Sequence, residues 1–407
     1  MLTDITWQEA QSRLLAWAQP LSVEAIPLRH ALFHFLNGDV PLQTVYPAHN
    51  LSADHGYALN FSSLQAAWER NETPRFRFGG NLGGARSFER QAHRDNAYLV
   101  ESGTLLPDIL DVVVEEEATE RNGNELLVHG RPAQYERMIP KGRFIQRQSR
   151  LLEGGRRVGY PGYAALYSQP ISEVNVIRKP TIGSLILGHG LVDAHADKMN
   201  ESAIPELLSP IASSMSFFWR FTFVPLGVQD AHRAIAETLF AASDQAEVLL
   251  VSGVLSTAEC RELDKALDEN CKVVIRGLKH PLGGRFCAAQ RDHRWIFVLP
   301  YHPPFIHALF ALIVGPTVIK MLGEPYGWVP MSVGAVAESV EALAPDDDIW
   351  VGQERFTRDF TQTPEVKLLT QISSASLTSL SEGNCLVIPR TGETLLESGM
   401  KVNIIRY

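Results

Sequence analysis

The chain has 407 residues, 45% apolar and 20% charged, which suits several folded units and excludes wholesale disorder. Its 37 Lys and Arg stand against 46 Asp and Glu, a formal charge of −9, so its overall charge draws it neither to nucleic acid nor to an anionic membrane. The opening "MLTDITWQEA" has acids where a secretory signal needs a basic start, and Cys260, Cys271, Cys287 and Cys385 form no C-x-x-C pair. A cytoplasmic protein with buried free thiols and no zinc cluster is the expectation.

In "TWQEAQSRLLAWAQPL", Ala10, Leu14, Leu15 and Trp17 share one helical face, and Pro20 closes the helix. "VEAIPLRHALFHFLNGDV" is expected to give a second short helix ending at Asn37-Gly38, a pair suited to a left-handed C-cap. From about Tyr46 to Ala133 the texture becomes β-rich. Glycines cluster in "RFGGNLGGARSFERQ", helix-like "SSLQAAWERN" precedes them, and the short strands "AYLV", "DILDVVVEEEA" and "ELLVHG" follow. Asn122-Gly123-Asn124 marks a hairpin. The next stretch, from "GRFIQRQS" to "VIRKP", is basic, irregular and rich in Gly and Pro, a connecting segment.

From Thr181 strand and helix patterns alternate: "TIGSLILGHG", "DAHRAIAETLFAASDQA", "EVLLVSG", "STAECRELDKALDEN", "CKVVIRG" and "RWIFVLP". Such alternation calls for a parallel sheet covered by helices. Ser256 and Glu259 read as a capping box. "FIHALFALIVGPTVIKML" is interrupted by His307, Gly315-Pro316 and Lys320, and reads as a buried helix with a break rather than a membrane span. The tail alternates apolar and polar residues in "NCLVIPR" and "MKVNIIRY", with turns at Gly383-Asn384 and Thr391-Gly392, as a small β-barrel or sandwich would.

Ligands of open parallel sheets bind at the carboxyl ends of the strands. Here those loops are "LGHGLV", "VSGVLSTAE", "IRGLKHPLGG" and "LPYHPPF". Arg276 and Lys279 bring two cations into one of them, and with amides of the Ser252-Gly253 turn they would suit a phosphorylated ligand. On charge alone they are equally well ordinary solvated cations after a strand. The 13 histidines include none in H-x-x-x-H, H-x-H or H-E-x-x-H spacing, and His189, His195, His280, His293 and His302 lie on separate loops, so core, cap or surface roles are expected. No G-x-S-x-G elbow supports a serine hydrolase. Asp346 to Asp348 could hold a cation, but a solvated loop is the expectation. The polar turn in "NLSADHGYALN", Asn50 to Asn60, is a candidate site or a plain surface turn.

In order along the chain, several segments resemble those of the molybdopterin molybdenumtransferases, the MoeA family that includes the gephyrin E domain. "ALFHFLNGDV" looks like the family's first helix motif, A-L-G-R-V-L-A-E-D-V, and "NLSADHGYAL" like D-N-S-A-M-D-G-Y-A-V. "ESGTLLPDILDVVVEEE" is similar to T-G-A-x-x-P-x-G-A-D-A-V-V, keeping Ser102 for Thr, Gly103, Pro107 and Asp111. "EVLLVSGVLSTAE" follows D-x-x-I-T-S-G-G-V-S-V-G-D, and "VVIRGLKHPLGG" follows V-x-M-K-P-G-K-P, with Arg276 and Lys279 at the lysine positions. "FVLPYHPPF" follows the L-P-G-N-P-V-S-A segment, keeping Pro300 and Pro303, and the tail resembles the S-G-M-L-S-S-L segment.

The resemblance implies a multi-domain α/β and β fold. Residues 1–45 and 134–180 would form an irregular linking domain, 46–133 a small β-rich domain, 181–323 a doubly wound, molybdopterin-binding-like α/β domain, and 324–407 a C-terminal β-barrel. It implies a homodimer that takes adenylylated molybdopterin and molybdate, inserts the metal at the dithiolene and releases AMP with a divalent cation such as magnesium. The site would lie between the sheet domain of one subunit and the small β domain of the other. Carried over position by position, Asp54, His55, Asp230 and Glu259 are the catalytic candidates. Ser102, Gly103, Ser252, Gly253, Arg276, Lys279, Pro300 and Pro303 are the substrate-binding ones, and no metal ligand is assigned.

The chain departs from the family at its carboxylates. His55 replaces the Asp of D-G-Y-A, Phe144 stands at the Asp of G-E-D, His189 and Gly190 replace Asp and Glu of T-G-D-E-L, and "STAE" leaves only Glu259 in its loop. Carboxylates hold a hard cation and manage protons, so their loss favours gripping a phosphorylated pterin over cleaving its adenylate. Two expectations follow: a divergent insertase, or an inactive family member that binds molybdopterin or its nucleotide or scaffolds a molybdoenzyme.

Overall fold

The computed structural model describes residues 2–83, 87–148, 150–188, 190–193, 204–229, 234–324, 331–341, 346–355, 362–390, 393 and 395–407. His189, His195, Asp230 and the Thr391-Gly392 turn lie outside the described residues.

The α/β part is built on a seven-stranded sheet in the order Leu2–Ile5, Lys272–Leu278, Cys287–Arg291, Arg294–Val298, Val248–Val254, Thr181–Gly188, Thr222–Gln229. The sheet is mixed rather than purely parallel, because Cys287–Arg291 runs antiparallel to both neighbours. The tight turn after it, with Asp292 at φ 54°, reverses the chain into a hairpin where the sequence suggested a plain strand succession. The N-terminus also enters this sheet: Leu2–Ile5 pairs in parallel with Lys272–Leu278. Thr6 and Glu9 then cap the helix Trp7–Trp17 reciprocally, and that helix buries Trp7, Ala10 and Leu14.

The second helix expected before Gly38 does not form. Val23–Pro27 is a strand, Leu28–His30 a single 3-10 turn and Phe35–Leu36 another strand. The strand Glu173–Ile177, some 150 residues later by sequence number, pairs with both. Pro27 lacks the N–H that a helix interior needs, and the long-range ladder satisfies the remaining backbone groups. The connecting segment is less irregular than its composition suggests, since it also holds the helix Tyr160–Tyr167.

The apolar stretch 303–321 is one helical run, its break reduced to a π turn over Phe310–Val314. Pro316 cannot donate to the carbonyl of Leu312, and the side chain of Gln11 does so instead at 2.5 Å. This run is long and apolar enough to cross a membrane, but 94% of it is buried inside the protein.

The small β part is a six-stranded sheet that includes Gly56–Leu59, Asn96–Val100 and Val112–Val114, and its Asn122↔Glu125 hairpin turns at Gly123, φ 66°, as the sequence indicates. In the tail, Met331–Val336, Glu365–Gln371, Trp350–Arg355, Cys385–Ile388 and Lys401–Arg406 close into a barrel. One apolar core joins barrel and sheet, from Ala10 and Leu14 through Phe297 and Phe305 to Val351, Leu386 and Ile405. All four cysteines are free; Cys287 and Cys385 are buried, whereas Cys260 and Cys271 are partly exposed.

Candidate functional site

The ends of the two central strands approach so closely that only glycine fits. A Cβ on Gly253, φ 149°, would lie 1.7 Å from the carbonyl oxygen of Leu187, and one on Gly188, φ 129°, would lie 2.2 Å from that of Val254. Ser252, buried beside them, donates its hydroxyl to the Leu299 carbonyl at 2.9 Å. Ser252 and Gly253 therefore lock the carboxyl edge of the sheet. Next to that edge, Pro303 opens the helix 303–321, and His302 caps it through Nδ1, which accepts the Phe305 amide at 3.3 Å. Pro300 accepts the His302 amide at 2.8 Å, and burial holds the His302 imidazole below its ordinary pKa.

Arg276 and Lys279 are both held within the chain. Arg276 donates to Asp264 and, at 2.7 Å, to Asp268, two carboxylates one turn apart on the helix Thr257–Asn270. Lys279 pairs with Asp346 at 3.1 Å. Beside it, His280 stacks on Phe305 with ring centroids 4.4 Å apart and faces Asp347 at 3.1 Å. Asp348 accepts from the indole of Trp7 at 3.3 Å and the amide of Gln8 at 3.4 Å, and burial pushes its carboxyl up. The Asp346 to Asp348 run, expected to be a solvated loop, instead docks the barrel onto the sheet: His280 and Trp7 supply neutral donors that a buried carboxylate accepts from.

Glu259 is likewise engaged. It accepts from the Ser256 amide at 2.7 Å while its own amide donates to Ser256 Oγ at 3.3 Å, the reciprocal cap that the spacing predicts. In the polar turn after Asn50–Ser52, Asp54 pairs with Arg137 at 2.8 Å, and Arg137 also meets Glu115. His55 sits between Glu101 at 3.2 Å and Glu116 at 2.7 Å, and chiefly the hydrogen bond it donates to Glu116 raises its pKa. Ser102 donates to the Ala53 carbonyl at 2.7 Å, and the Gly103 amide to Ser52 at 2.8 Å. The structure thus gathers Asp54, His55, Ser102 and Gly103 at one turn, and Ser252, Gly253, Lys279, Pro300 and Pro303 at the sheet edge. Among the described residues, no hydrogen bond or ion pair joins these two regions within one chain. Phe144, which the sequence resemblance sets at an acidic position, is exposed, its ring tilted against that of Tyr46 with centroids 6.1 Å apart. No three His, Cys, Asp or Glu side chains among the described residues are grouped to hold a metal ion.

Comparison with known proteins agrees with this architecture. Residues 5–169 match the family model of the MoeA N-terminal region (domain I and II). A molybdopterin molybdenumtransferase of Bacillus subtilis is 25% identical over 99% of this chain and 94% of its own length, and one from Haemophilus influenzae is 23% identical over 82% and 81%. By these likenesses the chain is similar to the MoeA proteins, at a divergent level of identity. Two crystal structures of MoeA proteins from Pyrococcus horikoshii share its fold, with TM-scores of 0.81 and 0.77 at 18% and 19% identity, each covering 99% of this chain.

In this fold a second feature lies at the amino edge of the sheet, where sequence reasoning placed nothing. A cavity of about 1120 Å³ opens between the linking segment and the helix Leu208–Trp219. Phe33, Arg157, Phe217, Phe218, Arg220 and Ile319 are among its walls. Phe217 and Phe218 are 72% and 60% exposed. The signal was present in "SFFWRFTF": helical spacing cannot bury so many adjacent rings on one face.

Proposed function

We propose that this protein serves molybdenum cofactor biosynthesis in the cytoplasm by handling molybdopterin at the carboxyl edge of its sheet. What carries the reading is similarity over 99% of the chain to a molybdopterin molybdenumtransferase, together with a glycine-locked strand edge of the kind that receives ligands in open α/β sheets. The reaction of such an enzyme inserts molybdate at the dithiolene of adenylylated molybdopterin and releases AMP. In that reaction the Ser252-Gly253 strand end and the loops that open at Pro300 and Lys279 would hold and orient the pterin.

A second reading, binding without turnover, is favoured by the state of the acids. Asp54 is tied to Arg137, Glu259 is tied into its cap, and His55 is a bridged base where the family has an acid. Within one chain, no three His, Cys, Asp or Glu side chains among the described residues converge to hold magnesium. Titration with molybdopterin by calorimetry, followed by an AMP-release assay with the adenylylated form, molybdate and magnesium, separates the readings. Pterin binding with AMP release makes the protein a transferase, and binding without release makes it a holder of the pterin. Neither would remove both and leave a scaffold for a molybdoenzyme.

The same reading makes the protein a homodimer in which the polar turn of one copy faces the sheet edge of the other. The exposed Phe217 and Phe218 give such a dimer an aromatic face to bury. Sedimentation of a Phe217→Asp, Phe218→Ser variant is expected to show a monomer where the wild type is a dimer; an unshifted dimer would exclude that face.

A further inference from the structure

The aromatic cavity at the amino edge of the sheet gathers cations that the chain leaves without a hydrogen-bond acceptor. Backbone bonds fix one side of it: the Phe33 amide donates to the Val158 carbonyl at 2.9 Å, and the Val158 amide to that of His34 at 2.8 Å. Arg157 is thereby held 4.6 Å from the centre of the Phe33 ring, and Arg220 reaches 5.4 Å from the same centre at the end of the helix Leu208–Trp219. Lys179 is near enough to feel both charges. Among the described residues, none of these three side chains donates a hydrogen bond or forms an ion pair. Close by is a further unmet polar atom. Nδ1 of His34 is buried without a hydrogen-bond partner, and burial, then Lys179, lower the pKa of that ring.

Ordinary structural roles do not account for this cluster. The carbonyl end of a helix favours a cation, which explains Arg220 but not Arg157 or Lys179, whose pKa values burial and neighbouring cations lower. Stacking on a ring suits a guanidinium but leaves its N–H edge unmet, and a half-buried cation without an acceptor is costly. Acids are not scarce: the chain has 46 against 37 bases, and Arg178, next to Lys179, has Glu247 at 2.7 Å. In the cavity wall Glu153 is taken by Arg150 and Arg156, and Glu324 does not contribute to the electrostatic surroundings of Arg157 or Lys179. The backbone adds a second cost. Phe33 and Arg220 both sit at φ 64°, where bulky side chains are rare, so a ring and a guanidinium meet at two positions that glycine would fill more easily.

We propose that this cavity binds an aromatic anion, whose flat ring lies against Phe217 and Phe218 and whose phosphate or carboxylate takes the free N–H edges of Arg157 and Arg220. The cations select the anion, and the exposed rings select the rest of the ligand. A volume of about 1120 Å³ slightly exceeds the roughly 300–1,000 Å³ usual for small-molecule sites, which leaves room for a two-ring ligand with bound water.

The test is calorimetry on the full chain with 1-naphthyl phosphate and 1-naphthoate as probes. Inorganic phosphate and 1-naphthol are their ringless and uncharged controls. Wild type is expected to bind an aromatic anion about tenfold or more tightly than either control. The stronger of the two probes identifies the anion as phosphate or carboxylate, and either result supports the site. Arg157→Gln is expected to weaken binding by about tenfold or more, the loss of one charge-assisted hydrogen bond. Arg220→Gly is the sharper variant, because it removes a guanidinium and relieves the backbone at once. Binding should fall by a similar factor while the melting temperature rises, a pairing that a purely structural arginine would not give. Phe218→Ser, at an exposed position, should weaken the aromatic anions and leave inorganic phosphate unchanged. No binding of either aromatic anion, a control that binds equally well, or folded variants with wild-type affinity overturns the proposal. Phe217 and Phe218 also form the face proposed for the homodimer, so binding is measured below and above the concentration at which the chain associates. Loss of binding above it would mean that the second copy takes the ligand's place, and that too overturns the proposal. A failed pterin titration leaves this site standing, because no residue of the carboxyl edge enters it.

Discussion

Two groups of cations in this molecule have opposite fates. At the carboxyl edge of the sheet, Arg276 is held by Asp264 and Asp268, and Lys279 by Asp346. At the amino edge, Arg157, Lys179 and Arg220 make no ion pair among the described residues, and only Lys179 feels a carboxylate, that of Glu24. There the guanidinium carbons of Arg157 and Arg220 lie 4.6 and 5.4 Å from the centre of the Phe33 ring, and that of Arg220 lies 5.0 Å from Phe217. Burial, then the neighbouring cations, hold Lys179 below its ordinary pKa, and Arg157 is lowered by burial and by Arg220. A basic residue in a plausible loop is thus not a free charge. Its availability depends on which acids the fold brings beside it, and those acids come from a helix and a barrel that the loop's own sequence does not announce.

Substitutions should separate the two groups by sign as well as size. The largest effect is expected at the docked edge: Asp347→Ala leaves the buried His280 N–H and the Ser373 hydroxyl without their acceptor and should cost about 2–3 kcal/mol in chemical denaturation. Arg276→Ala leaves Asp264 and Asp268 facing each other on one helix surface and should cost about 1–2 kcal/mol. Arg220→Gly should act in the opposite direction. Arg220 caps the helix Leu208–Trp219 at φ 64°, a left-handed position suited to glycine, and it adds to the crowding of cations. The isolated protomer should gain about 0.5–1 kcal/mol. Read at a concentration below association, a loss on Arg220→Gly or no loss on Arg276→Ala would erase the contrast.

Much of the architecture is legible where a local pattern and the tertiary environment agree. Ser256–Glu259, Asn122–Gly123 and the buried face of Ala10 and Leu14 each combine a spacing with a cap, turn or core that accepts it. The stretch after Val23 misleads because its helical-looking apolar spacing is overridden by a strand, Glu173–Ile177, that no local window contains. The candidate site divides in the same way. Residue types at strand ends are readable from order along the chain. Whether Lys279 faces a ligand or Asp346 is decided by a contact between positions 67 residues apart by number, and composition carries no trace of it.

The smallest expected effect concerns His55, the third group whose charge is engaged internally. The hydrogen bond to Glu116, with help from Glu101, raises its pKa above the ordinary 6.5. A raised folded-state pKa means the folded protein binds that proton more tightly than the unfolded chain. The associated stability is present in full below 6.5 and is lost as pH rises through the folded-state value. Because the ring is exposed, the readout of choice is its own titration by proton NMR rather than a melting curve. Its midpoint should lie above 6.5 in the wild type and fall further in Glu116→Gln than in Glu101→Gln, matching the order of their contributions. His307 supplies the internal control, since burial alone drives it down to about 4 and neither substitution touches it. A His55 midpoint that ignores both glutamates would mean that the turn holds its histidine open to a ligand after all, and the catalytic role suggested by its place in "SADHGYA" would return.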